Sequence, residues 1–297
     1  MYPLHSAGLL KMRLITLGSF ILSIFWVGQS VASEKVRFAP LPMESLGSMS
    51  REYLPFMDFL ETELKTPFEL VYKKSYQALI SSFTKGEIDL AYLGPLPYVV
   101  LKEQFPDAIP LAAFLDSEGK STYTCALVEF AGSPISLDSD QQKKVALTQP
   151  LSTCGYLAVE SLLNQTNQSL EQADFSYQFI GSHSKVAEDV VLGHYQMGGL
   201  KTQIGKKYHH LGLRIVQESD PMPGFIMVAN AKTLNSDKIA QIKALILSIK
   251  PSENPDHFEK TKPWGSKIKY GSIPVNDNVY NSVREKWKNT QIDLMTQ

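Results

Sequence analysis

Cysteine is nearly missing from this chain: Cys125 and Cys154 are the only two in 297 residues. Two cysteines cannot build the disulfide framework of a small secreted domain, although a single bridge between them is open to an exported chain. An excess of one charge is missing as well. The 29 Lys and Arg stand against 30 Asp and Glu, so composition supplies no electrostatic case for binding nucleic acid or an anionic membrane surface. Metal-ligand spacing is also wanting: His209 and His210 are adjacent, but no third ligand follows at a spacing that metal sites use. Neither a metal nor a cofactor is expected. Beyond the N-terminus no apolar run is long enough to span a bilayer.

The one long apolar run is informative. Lys11 and Arg13 precede Leu14–Val27, and Ser30-Val31-Ala32 places small residues where a signal peptidase reads. Residues 1–32 therefore read as a secretory signal peptide cleaved after Ala32, with an uncleaved anchor as the alternative. No Cys lies near the cleavage point, so a lipid anchor is not expected, and Met12 offers a second start. Removing these residues leaves 27 basic and 30 acidic side chains, net −3. The expectation is a soluble, exported, monomeric protein.

From Val36 onward, strand and helix patterns alternate. Strands are predicted at Val36–Ala39, Phe68–Tyr72 and Ile88–Leu93. Between them lie helices carrying Tyr53, Phe56, Met57, Leu60 and Leu64, then Tyr76 to Lys85 closed by Gly86. Ser45–Ser50 reads as a turn, and Pro55 as a first-turn proline of the helix after it. Pro95 and Pro97 suit another helix start, where a missing amide costs nothing. A second unit of the same kind begins near Ser121, with strands at Tyr123–Glu129, Lys144–Leu147, Tyr177–Ile180, Tyr195–Leu200 and Leu213–Gln217. Pro221-Met222-Pro223-Gly224 interrupts it before the strand at Phe225–Ala229. Strands separated by single helices imply an α/β fold with parallel or mixed sheets. Two units joined near Asp116–Thr122 and again near Pro221–Phe225 imply two lobes and a two-strand hinge. Lobe 1 would take 33–117 plus 226–297, and lobe 2, inserted, 118–225.

One stretch organises the functional reading. Gln149-Pro150-Leu151-Ser152-Thr153-Cys154-Gly155 ends a loop and starts a helix, with Ser152 or Thr153 as N-cap. No acid follows until Glu160, so the helix's own first turn leaves its positive end uncomplemented. Free amides, two hydroxyls and a close-approach glycine make an anion socket, while an ordinary helix cap is the alternative on these residues alone.

Ser75-Tyr76 opening a helix, the run Gly86-Glu87-Ile88-Asp89-Leu90-Ala91-Tyr92-Leu93-Gly94-Pro95-Leu96-Pro97-Tyr98, and Ser152-Thr153-Cys154-Gly155 together resemble the periplasmic phosphonate/phosphite/phosphate-binding proteins of ABC importers. The resemblance spans about Val36 to Trp287. It implies the type II periplasmic-binding fold, a small oxyanion clamped between lobes, an inner-membrane ABC permease as partner, and no covalent chemistry. Position by position it implies ligand contacts at Tyr76, Tyr123, Ser152, Thr153 and His183, with the amides of Cys154 and Gly155 beside them. Neutral donors of this kind suit a desolvated tetrahedral anion. The sequence departs from the family where aminoalkyl phosphonates are gripped. An ungapped alignment puts the expected carboxylates near Ile204 and Phe225, the Gly-x-x-Asp-Ala segment has become Gly193-His194-Tyr195-Gln196-Met197-Gly198-Gly199, and Cys154 replaces a common Ser. An aminoethyl substituent is accordingly disfavoured, and a smaller or more apolar headgroup, or another oxyanion, fits better.

Other side chains carry plainer readings: Tyr92 and Tyr98 pack, Asp89 is structural and caps or orients the hinge region, and His194, His209 and His210 lie on the surface. Two further functions compete. The same fold can present ligand to a membrane sensor, which neighbouring genes would distinguish. A Cys–His hydrolase could use Cys154 at a helix N-terminus with His183, but no third, orienting group is evident and export disfavours a free thiol.

Overall fold

The computed structural model describes residues 35–139 and 141–290. The expected signal peptide, 1–32, lies outside the described residues, as does Asp140 at the end of the expected loop. Strands and helices alternate: β1 (Val36–Pro40), α1 (Leu46–Leu64), β2 (Phe68–Leu70), α2 (Tyr76–Thr84), β3 (Leu90–Leu93), α3 (Pro95–Gln104) and β4 (Ala108–Phe114). A second set follows: β5 (Thr122–Tyr123), β6 (Cys125–Phe130), β7 (Lys143–Leu147), a π-helical turn at Thr153–Leu157 leading into α4 (Ala158–Asn164), β8 (Phe175–Phe179), α5 (His183–Val191), β9 (Met197–Lys201), α6 (Thr202–Tyr208) and β10 (Leu213–Glu218). The chain returns through β11 (Met222–Pro223) to β12 (Ile226–Asn230), α7 (Ser236–Ser248), α8 (Pro255–Thr261), β13 (Ser272–Ile273) and α9 (Asn281–Asn289).

The strands make two mixed sheets and a ribbon. The first sheet runs β13-β4-β12-β3-β1-β2, the second β10-β6-β9-β7-β8, and β5 pairs antiparallel with β11 between them. Within each sheet the parallel core (β2-β1-β3, and β8-β7-β9) is flanked by antiparallel strands. All parallel strands of a sheet end on one edge, and the ligand crevice of such sheets lies beyond that edge. Here the two edges carry Gly94 after β3, Thr148-Gln149 after β7, Lys201 at the end of β9 and His183 shortly after β8. An apolar cluster that includes Tyr76, Leu96, Leu147 and Tyr156 runs from one sheet to the other, so the described residues form a single compact unit.

Three local expectations are corrected. Ser45–Ser50 is not a turn: Ser45 caps α1 by accepting from Ser48 N, and the helix starts at Leu46. Pro55 therefore sits in the helix interior, where its missing N–H removes one rung; burial of Tyr53, Phe56, Phe59 and Leu60 holds the helix across that gap. Asp89 does not orient the hinge. It lies at the start of β3, away from the crevice edge, and its carboxylate takes a bidentate pair from Arg37 (2.6 and 2.8 Å) plus the Arg37 amide at 2.8 Å.

Candidate functional site

Four helix starts border the crevice: α2, α3, the π turn and α5. None has an acid in its first turn, so four positive dipole ends go uncomplemented by carboxylates of their own helices. Where the starts meet is a small recess of about 10 Å³, room for roughly one water. Tyr76, Tyr123, Ser152, Thr153, Cys154 and His183 line it from the residues singled out above, joined by Leu41, Met43, Gly94 and Pro97 from the first sheet's side. A larger cavity of about 680 Å³ adjoins; Tyr123, His183, Lys201 and Phe225 line both.

The π turn shapes the second-sheet wall. Tyr156 N (3.1 Å) and Leu157 N (3.3 Å) both bond Ser152 O, and Ala158 N bonds Thr153 O, a widened turn of the type that recurs at functional sites. The amides of Thr153 and Cys154 have no partner among the described residues. Gly155 does not line the recess. Its amide donates to Ser152 Oγ at 3.0 Å, and its Cα lies so close to Thr148 that a Cβ would fall 1.9 Å from Thr148 Oγ1. The glycine lets the turn sit down on the end of β7. From below, Gly199 on β9 does likewise, since a Cβ there would meet Val159 Cγ2 at 2.3 Å and Cys154 O at 3.0 Å.

Thr153 is the most connected hydroxyl. It accepts from Leu96 N at 3.0 Å and reaches the Tyr123 hydroxyl. Pro95 and Pro97 have no N–H, so Leu96 supplies the free first-turn amide of α3, and that amide points across the crevice. Gln149 ties the same seam, accepting from Tyr76 N at 3.4 Å and donating to Pro42 O at 3.2 Å. Burial raises the Tyr76 and Tyr123 hydroxyls well above the ordinary phenol range, which keeps both as donors. His183 is pushed down to about 3, first by burial and then by Lys201 and Lys267. It is a neutral imidazole whose Nδ1 accepts from Lys201 N at 3.3 Å, which puts the ring proton on Nε2. Ser182 caps α5 by accepting from Lys185 N.

Cys154 is bonded to Cys125, tying the π turn to the first residue of β6. The Cys–His hydrolase reading fails here, because that sulfur is neither a thiol nor a thiolate. Tyr92 and Tyr98 pack: Tyr92 donates to Lys267 O (2.8 Å) and stacks on Phe225, and Tyr98 donates to Asp277 (2.8 Å). His194, His209 and His210 are exposed, and no group of three potential metal ligands exists among the described residues.

Lys201 is the residue that sequence reasoning missed. Its Nζ lies 4.2 Å from the Tyr123 ring centre and 4.4 Å from that of Phe225. Burial is the main cause that lowers it to about 8. The available signal was a lysine closing a strand, with one residue, Leu200, between it and the Gly198-Gly199 pair.

Two mixed α/β sheets, an antiparallel two-strand connection and a crevice walled by helix starts define a periplasmic-binding-protein fold. Solved structures agree. PhnD1 from Prochlorococcus marinus, in complex with methylphosphonate, matches with a TM-score of 0.73 at 18% identity over 86% of this chain and 97% of that one. A binding-protein component of an ABC phosphonate transporter from Pseudomonas aeruginosa matches at 0.71, 14% identity and 86% of each chain. In sequence, the phosphate-import protein PhnD of Mycolicibacterium smegmatis is 25% identical, over 84% of each chain. The family model for ABC-transporter phosphonate periplasmic substrate-binding proteins matches residues 38–280. The chain belongs to that family.

Proposed function

We propose that this protein captures a small phosphorus oxyanion (phosphonate, phosphite or phosphate) in the recess and delivers it, as an exported monomer, to the inner-membrane permease of an ABC importer. Segments 33–117 and 226–297 act as one lobe, 118–225 as the other, and the β5–β11 ribbon as the hinge. One observation carries the reading: neutral donors converge where no carboxylate lines the recess. The hydroxyls of Ser152, Thr153, Tyr76 and Tyr123, the Cys154 amide and His183 Nε2–H can each give one hydrogen bond to a tetrahedral head, while Gly155 seats the turn that presents them. Ser152, Thr153 and the Cys154 amide sit on one turn and keep their places relative to one another before the ligand arrives, so little ordering is spent on them. No step of this cycle makes or breaks a covalent bond. Export through residues 1–32 fits the cysteine pair, since a structural disulfide persists in an oxidising compartment.

A thermal-shift panel with phosphate, phosphite, methylphosphonate, 2-aminoethylphosphonate and sulfate tests the reading. A ligand that binds the native state raises the midpoint by mass action. A shift with at least one phosphorus anion and none with sulfate is expected; no shift with any phosphorus anion contradicts the reading.

A further inference from the structure

Lys201 raises a question that an oxyanion socket alone does not answer. Lys201 is half-buried at the cavity wall, and an ammonium drawn partly out of water without a counterion carries a desolvation cost that proteins normally offset by pairing it. Elsewhere this one does so. Lys143, fully buried, bonds Asp174 and two carbonyls, and Lys267 at the cavity wall holds Glu52. Lys201 Nζ has neither an ion pair nor a hydrogen bond among the described residues, and two aromatic faces are its polar company.

Its position is specific. Lys201 is the charged side chain that lines both the recess and the larger cavity, since His183 is neutral. Of the acids lining the larger cavity, Asp116 accepts from the Glu118 and Lys120 amides, Glu218 accepts from Thr124, and Glu118 pairs with Lys120. Glu44 is exposed. None of the four lines the recess. A substituent leaving the socket toward the cavity therefore passes Lys201 first. A cationic substituent would meet a like charge there, and the Tyr123 and Phe225 faces that might cradle it are already held by the protein's own ammonium.

Taking the socket to be the phosphorus-anion site proposed above, we propose that Lys201 is the receptor for a second negative group on the ligand, so that the preferred substrate class is a short organophosphonate bearing a carboxylate. The phosphonate head would take the neutral donors, and the carboxylate would supply the partner that Nζ lacks. The 680 Å³ cavity leaves room for such an extension, which a methyl substituent would not use.

The test is calorimetric titration of the wild-type chain with methylphosphonate, phosphonoacetate, 3-phosphonopropionate and 2-aminoethylphosphonate, repeated on Lys201→Met. The expected result is that one carboxylated ligand binds about tenfold or more tighter than methylphosphonate, as a charge-assisted contact implies, with the amine weakest. Lys201→Met should weaken the carboxylated ligand about tenfold more than methylphosphonate. Equal or tighter binding of methylphosphonate by the wild type overturns the proposal, and that comparison stands even where the variant does not fold. Equal weakening of all four ligands by Lys201→Met also overturns it, marking the lysine as countercharge to the shared head. Binding of none of the four overturns the proposal; if phosphate and phosphite, titrated alongside, also fail to bind, the socket reading itself is rejected, whereas binding of either leaves that reading standing.

Discussion

The backbone amide of Leu96 donates to the side-chain hydroxyl of Thr153 at 3.0 Å, joining the start of α3 to the π turn across the crevice. A donor from one sheet's edge thus meets a ligand-facing hydroxyl of the other in a recess with room for about one water. A phosphonate head needs more room than that, so this bond has to break for the head to enter. Removing it should bias the free protein toward an open form. A neutral hydrogen bond contributes about 1 kcal/mol, a several-fold change in population. Small-angle scattering of ligand-free Thr153→Val should give a larger radius of gyration than wild type; identical values would mean that the bond does not hold the crevice shut.

Gly155 should tolerate no side chain. A Cβ would lie 1.9 Å from Thr148 Oγ1 and 2.8 Å from Thr148 N, and backbone on the end of β7 cannot yield as a flexible side chain can. Gly155→Ala is expected to destabilise by roughly 1–3 kcal/mol, the usual cost of overpacking, and to weaken ligand binding by lifting the turn. Urea denaturation measures the first effect and titration the second.

The Cys125–Cys154 bond closes a loop with a sequence separation of 29. Chain-entropy arguments put the stabilisation from such a loop at about 3–4 kcal/mol. Cys125→Ser/Cys154→Ser should lower the unfolding free energy by an amount of that order, and adding reductant to the wild type should reproduce the loss. Stability unchanged by both treatments would contradict a structural role for the bridge.

Two half-buried bases contribute to the pH response. His183 is held at about 3 in the fold against 6.5 ordinarily, so between these values the unfolded chain binds more protons. The stability tied to the neutral ring is complete above about pH 6.5 and declines as pH falls toward 3. Lys201, at about 8 against 10.5, also binds fewer protons in the fold than out of it, so its burial becomes less costly as pH rises through that window. Ligand affinity runs the other way there, falling above about pH 8 as the ammonium is lost. Melting temperatures of His183→Gln should fall less steeply on acidification than wild type, and titrations of the wild type across about pH 7 to 9.5 should show the alkaline loss.

Much of the site was legible because it is local. Ser152-Thr153 at a helix start with no acid nearby, and Gly94-Pro95-Leu96-Pro97 after a strand, state their chemistry within a few residues. What escaped depends on distant partners. Lys201 looks like any strand-end lysine until β9 pairs with β6, placing it opposite Cys125 and beneath Tyr123 and Phe225. β4 went unrecognised because Pro110 lies inside it; the strand accommodates the missing donor where its register with β12 shifts. The Gly155 amide looked free in sequence, and only the π turn reveals that Ser152 Oγ takes it. The short helices α6 and α8 carry too few turns for a period to register.

The central claim is that the hydroxyls of Ser152 and Thr153 hold the head of a phosphorus oxyanion. Calorimetric titration of wild type and Ser152→Ala/Thr153→Val with methylphosphonate and phosphate tests it most directly. The account predicts saturable one-to-one binding by the wild type of at least one of the two, and a loss of about a hundredfold or more in the double variant, two hydrogen bonds to a charged group being removed. Binding of equal strength by both proteins would contradict it.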